Sequence, residues 1–509
     1  MLNYSVAELR IIKKEMNLPE DFTAYTREWM GEDLFADFMK GMEATAPTSI
    51  RLNPFKCPSC THITDEDDTE VVPWCPTTGR YLSERRNFTF DPLLHAGLYY
   101  VQEASSMFID LAIREYVKQP VRMLDLCAAP GGKSTAIRAA LPEGSLLFSN
   151  EPMRTRSQIL AENIQKFGHP DVIVTNNYPR DYKKSKLQFD VILTDVPCSG
   201  EGMFRKDEGA IKEWSTSNVN NCWQLQREIV SDIWNCLKPG GILIYSTCTF
   251  NGHEDEENVL WIEENLGAER LPMPIEERWN ITGSLLKKDE STDDGQSNKS
   301  LATDDYDNMY HFIPGKSKGE GLFLAVLRKN GSSEEMDSNS KGKKDKKKKN
   351  NKDTNKGNNR ISIPENWLNN TAEWSYQNTE SGIYGIHSTW KPMLDEATKS
   401  LKVIHAGVKL GSIKGKDLIP DQSLALCTEL HQDTFPKAEL SYEDAIQYLR
   451  KEAITLPDSL PRGYVLVTYR GIPLGWMKNL GNRANNLYPQ EWKIKSSHIP
   501  EGNNNLITW

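Results

Sequence analysis

The chain has 509 residues, too many for one hydrophobic core, so two to four domains are expected. Its 38% hydrophobic and 26% charged residues are ordinary for a globular protein, and its net charge of −10 excludes a globally basic nucleic-acid footprint, though not a local basic groove. Nine scattered cysteines exclude a secreted disulfide framework, and with no apolar run of about 18 residues the expected setting is the cytoplasm, away from membranes.

Four zones separate by composition. Residues 1–118 mix helical periodicity with Pro-rich loops, starting with an amphipathic pattern in MLNYSVAELRIIKKEMNLPEDF that lacks a signal-peptide apolar stretch. CPSCTH (57–62) and Cys75 nearly spell a zinc site from Cys57, Cys60, His62 and Cys75. The intervening TDEDDTE is acidic and loop-like, so no metal is expected there. Residues 119–330 alternate apolar strands with amphipathic helices, 331–360 are low in complexity, and 361–509 return to globular composition. The lysine block KGKKDKKKK (341–349) reads as a solvated linker with a secondary attraction for phosphate.

The second zone carries the chemistry. VRMLDLCAA (121–129), SLLFSNE (145–151), DVIVTNN (171–177), FDVILTDV (189–196) and GGILIYSTC (240–248) are apolar runs of strand length. Between them, MRTRSQILAENIQKFG places Leu160, Ile164 and Phe167 on one helical face before Gly168, and CWQLQREIVSDIWNCLKPGG ends in a strong stop. Such alternation predicts a parallel sheet covered on both faces, with ligands at the carboxyl ends of the strands. GLFLAVLRK (321–329) would be a terminal strand, reached after an insertion containing the acidic KKDESTDDGQSNKS.

LDLCAAPGGKST forms the first strand–helix junction. Gly131 and Gly132 permit close approach of the backbone, and the next helix offers free N–H groups. The stretch meets neither the GxGxxG nor the GxxxxGK[ST] template. Glu151, 26 residues after Asp125, ends the second strand, where an acid commonly bridges ribose hydroxyls. A ribose-gripping acid without a phosphate cradle fits an adenosine ligand lacking phosphates, of which S-adenosylmethionine is the common one.

Asp195, Pro197 and Cys198 close the fourth strand, and Thr247 and Cys248 close the fifth. In a doubly wound sheet these strands are neighbours, so both thiols should face one cleft beside the cofactor. A lone cysteine is often a small buried hydrophobe, but a pair at adjacent strand ends, with an acid nearby, is more specific. No ligand set there completes a metal site. Two thiols, a carboxylate and a methyl donor suit methylation of cytosine at carbon 5. Thiolate addition at carbon 6 makes carbon 5 nucleophilic, a carboxyl group stabilises the adduct, and a second thiol can assist loss of the carbon-5 proton.

LDLCAAPGGKS, Glu151, TDVPCSGEGMFRK and YSTCTFNGHEDEENV together resemble the motif set of the Nop/Sun-type RNA cytosine-5 methyltransferases. SIRLNPFK (49–56) and FTFDPLLHAGLYYVQEASSMF (88–108) are similar to the segment those enzymes carry before the catalytic core. HAGVKLG, PDQSLAL and GYVLVTYRGIPLGWMKNLGNRANNLYP resemble the PUA-like tail of bacterial small-subunit ribosomal RNA methyltransferases of the RsmF kind. The resemblance implies an α/β fold: a Rossmann-like SAM-dependent methyltransferase core, an N-terminal α+β RNA-binding extension and a C-terminal PUA-like small β-rich domain. It implies a monomer acting on a cytosine of ribosomal RNA or the small ribosomal subunit, with transfer RNA as the alternative substrate.

Carried over by residue, the resemblance makes Cys248 the nucleophile and Cys198 the cysteine of product release. Asp195 would contact the target base and border the cofactor. Cys127, Ala128, Ala129, Pro130, Gly131, Gly132 and Lys133 would form the methionine-side loop, with Lys133 at the cleft's edge among the catalytic groups. Glu151 would hold the ribose. Where the family often has Asp near the adenine, this chain has Asn176-Asn177-Tyr178, and the Asn177 amide would serve there. Arg51 and Asn53 are candidate RNA contacts, whereas Tyr99, Tyr100 and Phe108 are expected in the core. The rivals are DNA cytosine-5 methylation, which typically uses the Pro-Cys cysteine as nucleophile, and a non-catalytic RNA-binding assembly factor. The intact acid, thiols and glycine loop disfavour the latter. VLVTY and LGWMK around Arg470-Gly471-Ile472-Pro473 predict a β-hairpin in the tail.

Overall fold

The computed structural model describes residues 17–57, 62–63, 69–286, 307–331, 366–379, 382–415, 417–496, 502 and 505–509. The lysine block, the acidic KKDESTDDGQSNKS stretch, Cys60 and the first 16 residues lie outside them.

Helix α1 (Glu20–Glu43) turns at Gly31, whose φ of 70° is open to glycine at little cost. Its buried side chains Phe22, Phe35, Phe38 and Met42 pack with Phe204, Trp214 and Phe250. Phe204 and Phe250 follow Cys198 and Cys248 closely in sequence, so this first helix braces both cysteine loops. Strands β1 (Thr48–Leu52), β2 (Gly79–Leu82) and β3 (Tyr99–Val101) form an antiparallel sheet of order β2-β1-β3, followed by α2 (Phe108–Tyr116).

The central sheet begins with β4 (Arg122–Asp125), β5 (Leu146–Asn150), β6 (Val172–Thr175), β7 (Phe189–Asp195) and β8 (Leu237–Thr247). They alternate with α3 (Gly132–Ala140), α4 (Arg154–Phe167) and α5 (Thr216–Ile233). Helix α6 (Glu256–Ile262) leads to β9 (Ala268–Leu271), β10 (Met309–Phe312) and β11 (Leu322–Lys329). The five strands β4–β8 are parallel, in the order β8-β7-β4-β5-β6, and β11 joins β8 antiparallel. Both faces are covered, and successive residues serve opposite cores. Met123, Val191 and Leu193 enter one, Leu124 and Ile192 the other. Burying each such side chain contributes about 1.5–3 kcal/mol, which is why these strands read as near-continuous apolar runs.

Beyond the low-complexity stretch lie β12 (Trp374–Thr379), β13 (Gly382–His387), α7 (Lys391–Ala397), β14 (Val403–Ala406), β15 (Val408–Lys414) and β16 (Asp417–Pro420). Next come β17 (Lys437–Glu439), α8 (Tyr442–Leu449), β18 (Gly463–Tyr469), β19 (Ile472–Asn479) and β20 (Ala484–Asn486). Two four-stranded sheets result, β12-β13-β15-β16 and β17-β18-β19-β20. Strands β18 and β19 are the expected hairpin, turning through Arg470 and Gly471, both at positive φ. Strand β14 joins neither sheet. It pairs antiparallel with β6 and so extends the central sheet with a strand from outside residues 119–330. One core also holds Ile50, Phe88 and Leu93 together with Tyr448, Val465 and Tyr488, so the two ends of the chain pack on each other. Among the described residues no helix is long and apolar enough to cross a membrane.

Candidate active site

Strand β4 ends in Asp125, and the chain passes through Leu126–Gly131 into α3. Gly131 adopts a φ of 113°, which favours glycine, and a Cβ on Gly132 would stand 3.2 Å from the Tyr100 ring, a tight contact. Outer groups hold the loop: Asn150 Nδ2 donates to Leu126 O at 3.0 Å, Arg156 to Ala129 O at 3.0 Å, and Asn163 to Pro130 O at 2.8 Å. Asp125 accepts from Ser134 Oγ at 2.6 Å, and burial pushes its carboxyl up to about 7. At the end of β5, Glu151 is 1% exposed and accepts Met153 N–H at 2.9 Å through Oε1. Its Oε2 lies 3.7 Å from Arg156.

The neighbouring parallel strands β7 and β8 bring their carboxyl ends side by side, with Asp195 opposite Ser246. Asp195 accepts Ser246 Oγ at 2.7 Å on one oxygen and pairs with Lys133 Nζ at 2.9 Å on the other. Burial opposes the Lys133 charge, but the Asp195 carboxylate outweighs it and raises the lysine above its ordinary range. Cys198 Sγ and Cys248 Sγ stand 3.0 Å apart, each partly buried. The hydrogen bond to Cys248 and burial hold the Cys198 thiol well above the usual cysteine range. The structure thus gathers Lys133, Asp195, Cys198 and Cys248 at adjacent strand ends, next to the Cys127–Gly132 loop.

Other candidates lie elsewhere. Arg51 and Asn53, the candidate RNA contacts, are buried, at 1% and 2% exposed. Arg51 donates to Gln102 Oε1 at 2.8 Å and Thr135 Oγ1 at 2.5 Å, and Asn53 Nδ2 donates to Gly97 O and Phe167 O. Both are struts between the N-terminal extension and the core, because a buried guanidinium or amide must find internal partners. The Asn177 amide is also engaged. Its Oδ1 accepts Lys402 N–H at 3.0 Å and its Nδ2 donates to Lys402 O at 3.2 Å, so it grips the strand β14 segment. Tyr99 and Phe108 are in the core as expected, and Tyr100 backs Gly132. The Cys57 thiol donates to Leu98 O, and the Cys75 thiol sits against Thr78 Oγ1. Cys60 and the His62 side chain are outside the described residues.

Two acids that sequence reading passed over stand out. Glu201 and Glu254 are 1% and 0% exposed and lie in the two cysteine loops. Their signal was available, since both fall inside the quoted stretches TDVPCSGEG and STCTFNGHEDEEN.

Residues 115–328 match the family described as 16S rRNA methyltransferase RsmB/F. Residues 18–104 match the N-terminal domain of 16S rRNA methyltransferase RsmF, and residues 435–494 the methyltransferase RsmF PUA domain. An Aliivibrio fischeri protein named ribosomal RNA small subunit methyltransferase F is 30% identical over 497 residues, spanning 93% of this chain and 97% of that one. An Escherichia coli protein of the same name is 30% identical over 93% of this chain and 96% of its own. Among solved structures, a methyltransferase homolog from Pyrococcus horikoshii is 25% identical, covers 60% of this chain and 94% of that chain, and has a TM-score of 0.49. With full-length relatives at this identity and all three of its RsmF-type regions matched, the chain belongs to the ribosomal RNA small subunit methyltransferase F family.

Proposed function

We propose that this chain methylates carbon 5 of a cytosine in 16S ribosomal RNA, in the cytoplasm, using S-adenosylmethionine. The observation that carries the reading is the pair of thiols 3.0 Å apart at adjacent strand ends, beside a carboxylate clamped by Lys133 and Ser246. The names of the relatives supply the RNA.

The donor set suits an adenosylmethionine. Glu151 is buried at the end of β5 with only one oxygen engaged at hydrogen-bond distance, and two glycines narrow the loop beside it. The Cys127–Gly132 loop would hold the methionine side and Glu151 the ribose. When bound, the cofactor supplies the methyl group from its sulfonium to carbon 5.

The chain's own groups do the rest. The target cytosine is flipped out of its stack into the cleft. Cys248 gives up its thiol proton to solvent, its Sγ bonds to carbon 6 as the thiolate, and the electron pair of the 5,6 double bond becomes available at carbon 5. Asp195, fixed on both oxygens, steadies the ring where charge develops. Cys198, after losing its own proton to solvent, takes the carbon-5 proton as the thiolate; the double bond re-forms and the bond from Cys248 to carbon 6 breaks, returning Cys248 as thiolate. Residues 1–118 and 361–509 would supply RNA-binding surfaces around the core.

Incubation of 16S rRNA transcript with labelled cofactor tests the reading. Cys248→Ala should abolish incorporation. Cys198→Ala should accumulate a protein–RNA adduct that survives denaturing electrophoresis. Normal turnover by Cys198→Ala would refute the assignment, and labelling of DNA in place of RNA would redirect it.

A further inference from the structure

The loops bearing Cys198 and Cys248 hold each other through two buried carboxylates, and the exchange is reciprocal. Glu201, from the Cys198 loop, reaches into the other: its Oε2 accepts Phe250 N–H at 2.7 Å and its Oε1 accepts Asn251 Nδ2 at 3.0 Å. Glu254, from the Cys248 loop, reaches back and accepts Ser199 N–H at 3.0 Å, one residue past Cys198. Asn251 Nδ2 also donates to Glu254 Oε1 at 3.0 Å, so one amide is shared by both acids. Trp214 Nε1 donates to Glu201 at 3.0 Å, and Gln226 Nε2 donates to Glu254 at 2.7 Å and to Pro197 O at 3.0 Å. The backbones meet directly as well, Gly202 N–H donating to Cys248 O at 2.6 Å. A Cβ on Gly202 would lie 2.7 Å from that oxygen, so glycine alone allows the approach.

Every partner of the two acids is a donor. Such donors favour the ionised carboxylates, against burial and the neighbouring charge, which push Glu201 up to about 7, and against burial, which raises Glu254 as well. Burying two like charges beside one another is costly, and apolar contacts would join two loops with less opposition. What the acids add is direction: each fixes a main-chain N–H beside or near the other loop's cysteine. The chemistry needs that, because one thiol must reach carbon 6 and the other the hydrogen on carbon 5 of the same ring.

We propose that Glu201 and Glu254 are positioning residues for methyl transfer, a reciprocal stitch that holds Cys198 Sγ against Cys248 Sγ; the proposal rests on the two-thiol reading above. Each loop hangs from a separate strand, and the stitch makes the pair one rigid body.

Glu201→Gln and Glu254→Gln keep size and bring an N–H into a donor-only site. Two readouts apply to the full chain. One is kcat and KM on 16S rRNA transcript. The other is the rate at which diamide, which takes up two electrons and two protons, converts Cys198 and Cys248 to a disulfide in the unliganded protein. Both variants should lose at least tenfold in kcat with KM for the cofactor within threefold, and the disulfide should form at least fivefold more slowly. Values within twofold of wild type for kcat and disulfide formation in both variants would overturn the stitch. Slower disulfide formation in the variants alongside a wild type that methylates no rRNA would leave the stitch standing and sink the functional reading. Hydrogen exchange on the wild type needs no variant: the Ser199 and Phe250 amides should exchange as slowly as those of β7, and exchange at open-loop rates would also overturn it.

Discussion

Arg51, Asn53 and Lys56 reach from the N-terminal extension into α3 and α4 with side chains, whereas the C-terminal region meets β6 mainly through its backbone. Asn53 and Lys56 donate to Phe167 O and Lys166 O, carbonyls that the end of α4 leaves without helical partners. Strand β14 instead pairs Val403, His405 and Ala406 with Thr175, Val174 and Ile173, and Asn176 N–H donates to Lys402 O at 2.9 Å. A grip built of side chains can be dismantled by single substitutions. A grip built of main chain resists them and yields to proline.

The largest expected effect is at Arg51. Arg51→Met removes the guanidinium that Gln102 and Thr135 surround, and each stranded polar group costs about 1–3 kcal/mol, so roughly 3 kcal/mol should be lost from the unfolding free energy in urea. Asn53→Ala strands two carbonyls and should cost about 2 kcal/mol in the same measurement. Lys402→Pro deletes the N–H given to Asn177 and should cost about 1–2 kcal/mol. Lys402→Ala should stay within about 0.5 kcal/mol, because only an exposed contact to Asn176 is lost. Equal losses for the two Lys402 variants would break the contrast.

Acidity sharpens it. Burial pulls Lys56 down to about 7 from an unfolded value of 10.5, so between those limits the unfolded chain binds more protons and stability from this group rises with pH. His387 pairs with Asp171 at 2.7 Å; burial disfavours its charge, but the bond to Asp171 outweighs that and raises the imidazole above 6.5. Its contribution is therefore complete below 6.5 and lost as pH climbs through the raised value. Thermal unfolding between pH 6 and 9 should show Lys56→Met removing a rising component and His387→Gln a falling one. Slopes of the same sign would refute the opposition.

The central sheet was legible because a strand buried on both faces must be apolar through its middle, as VIL in FDVILTDV and ILI in GGILIYSTC are. The meeting of Cys198 and Cys248 followed from adjacent parallel strands, since a shared register brings their ends together. The burial of Arg51 and Asn53 was not legible for a physical reason: composition tells that a residue can grip a phosphate, not whether its donors are already taken by Thr135 or Phe167. Strand β14 was hidden because VIHA is short, and its partner lies more than 200 residues away in the sequence. The Asn177 amide was read as facing adenine because nothing local reveals Lys402.

The pairing of β14 with β6 has a consequence for anyone who would cut this protein into pieces. A fragment ending at residue 331 carries every residue assigned to catalysis, yet leaves β6 as a bare sheet edge, with a row of main-chain donors and acceptors. Such a fragment should scatter light as a larger species than the full chain at the same concentration. The tail is then a selvedge, without which the catalytic cloth frays.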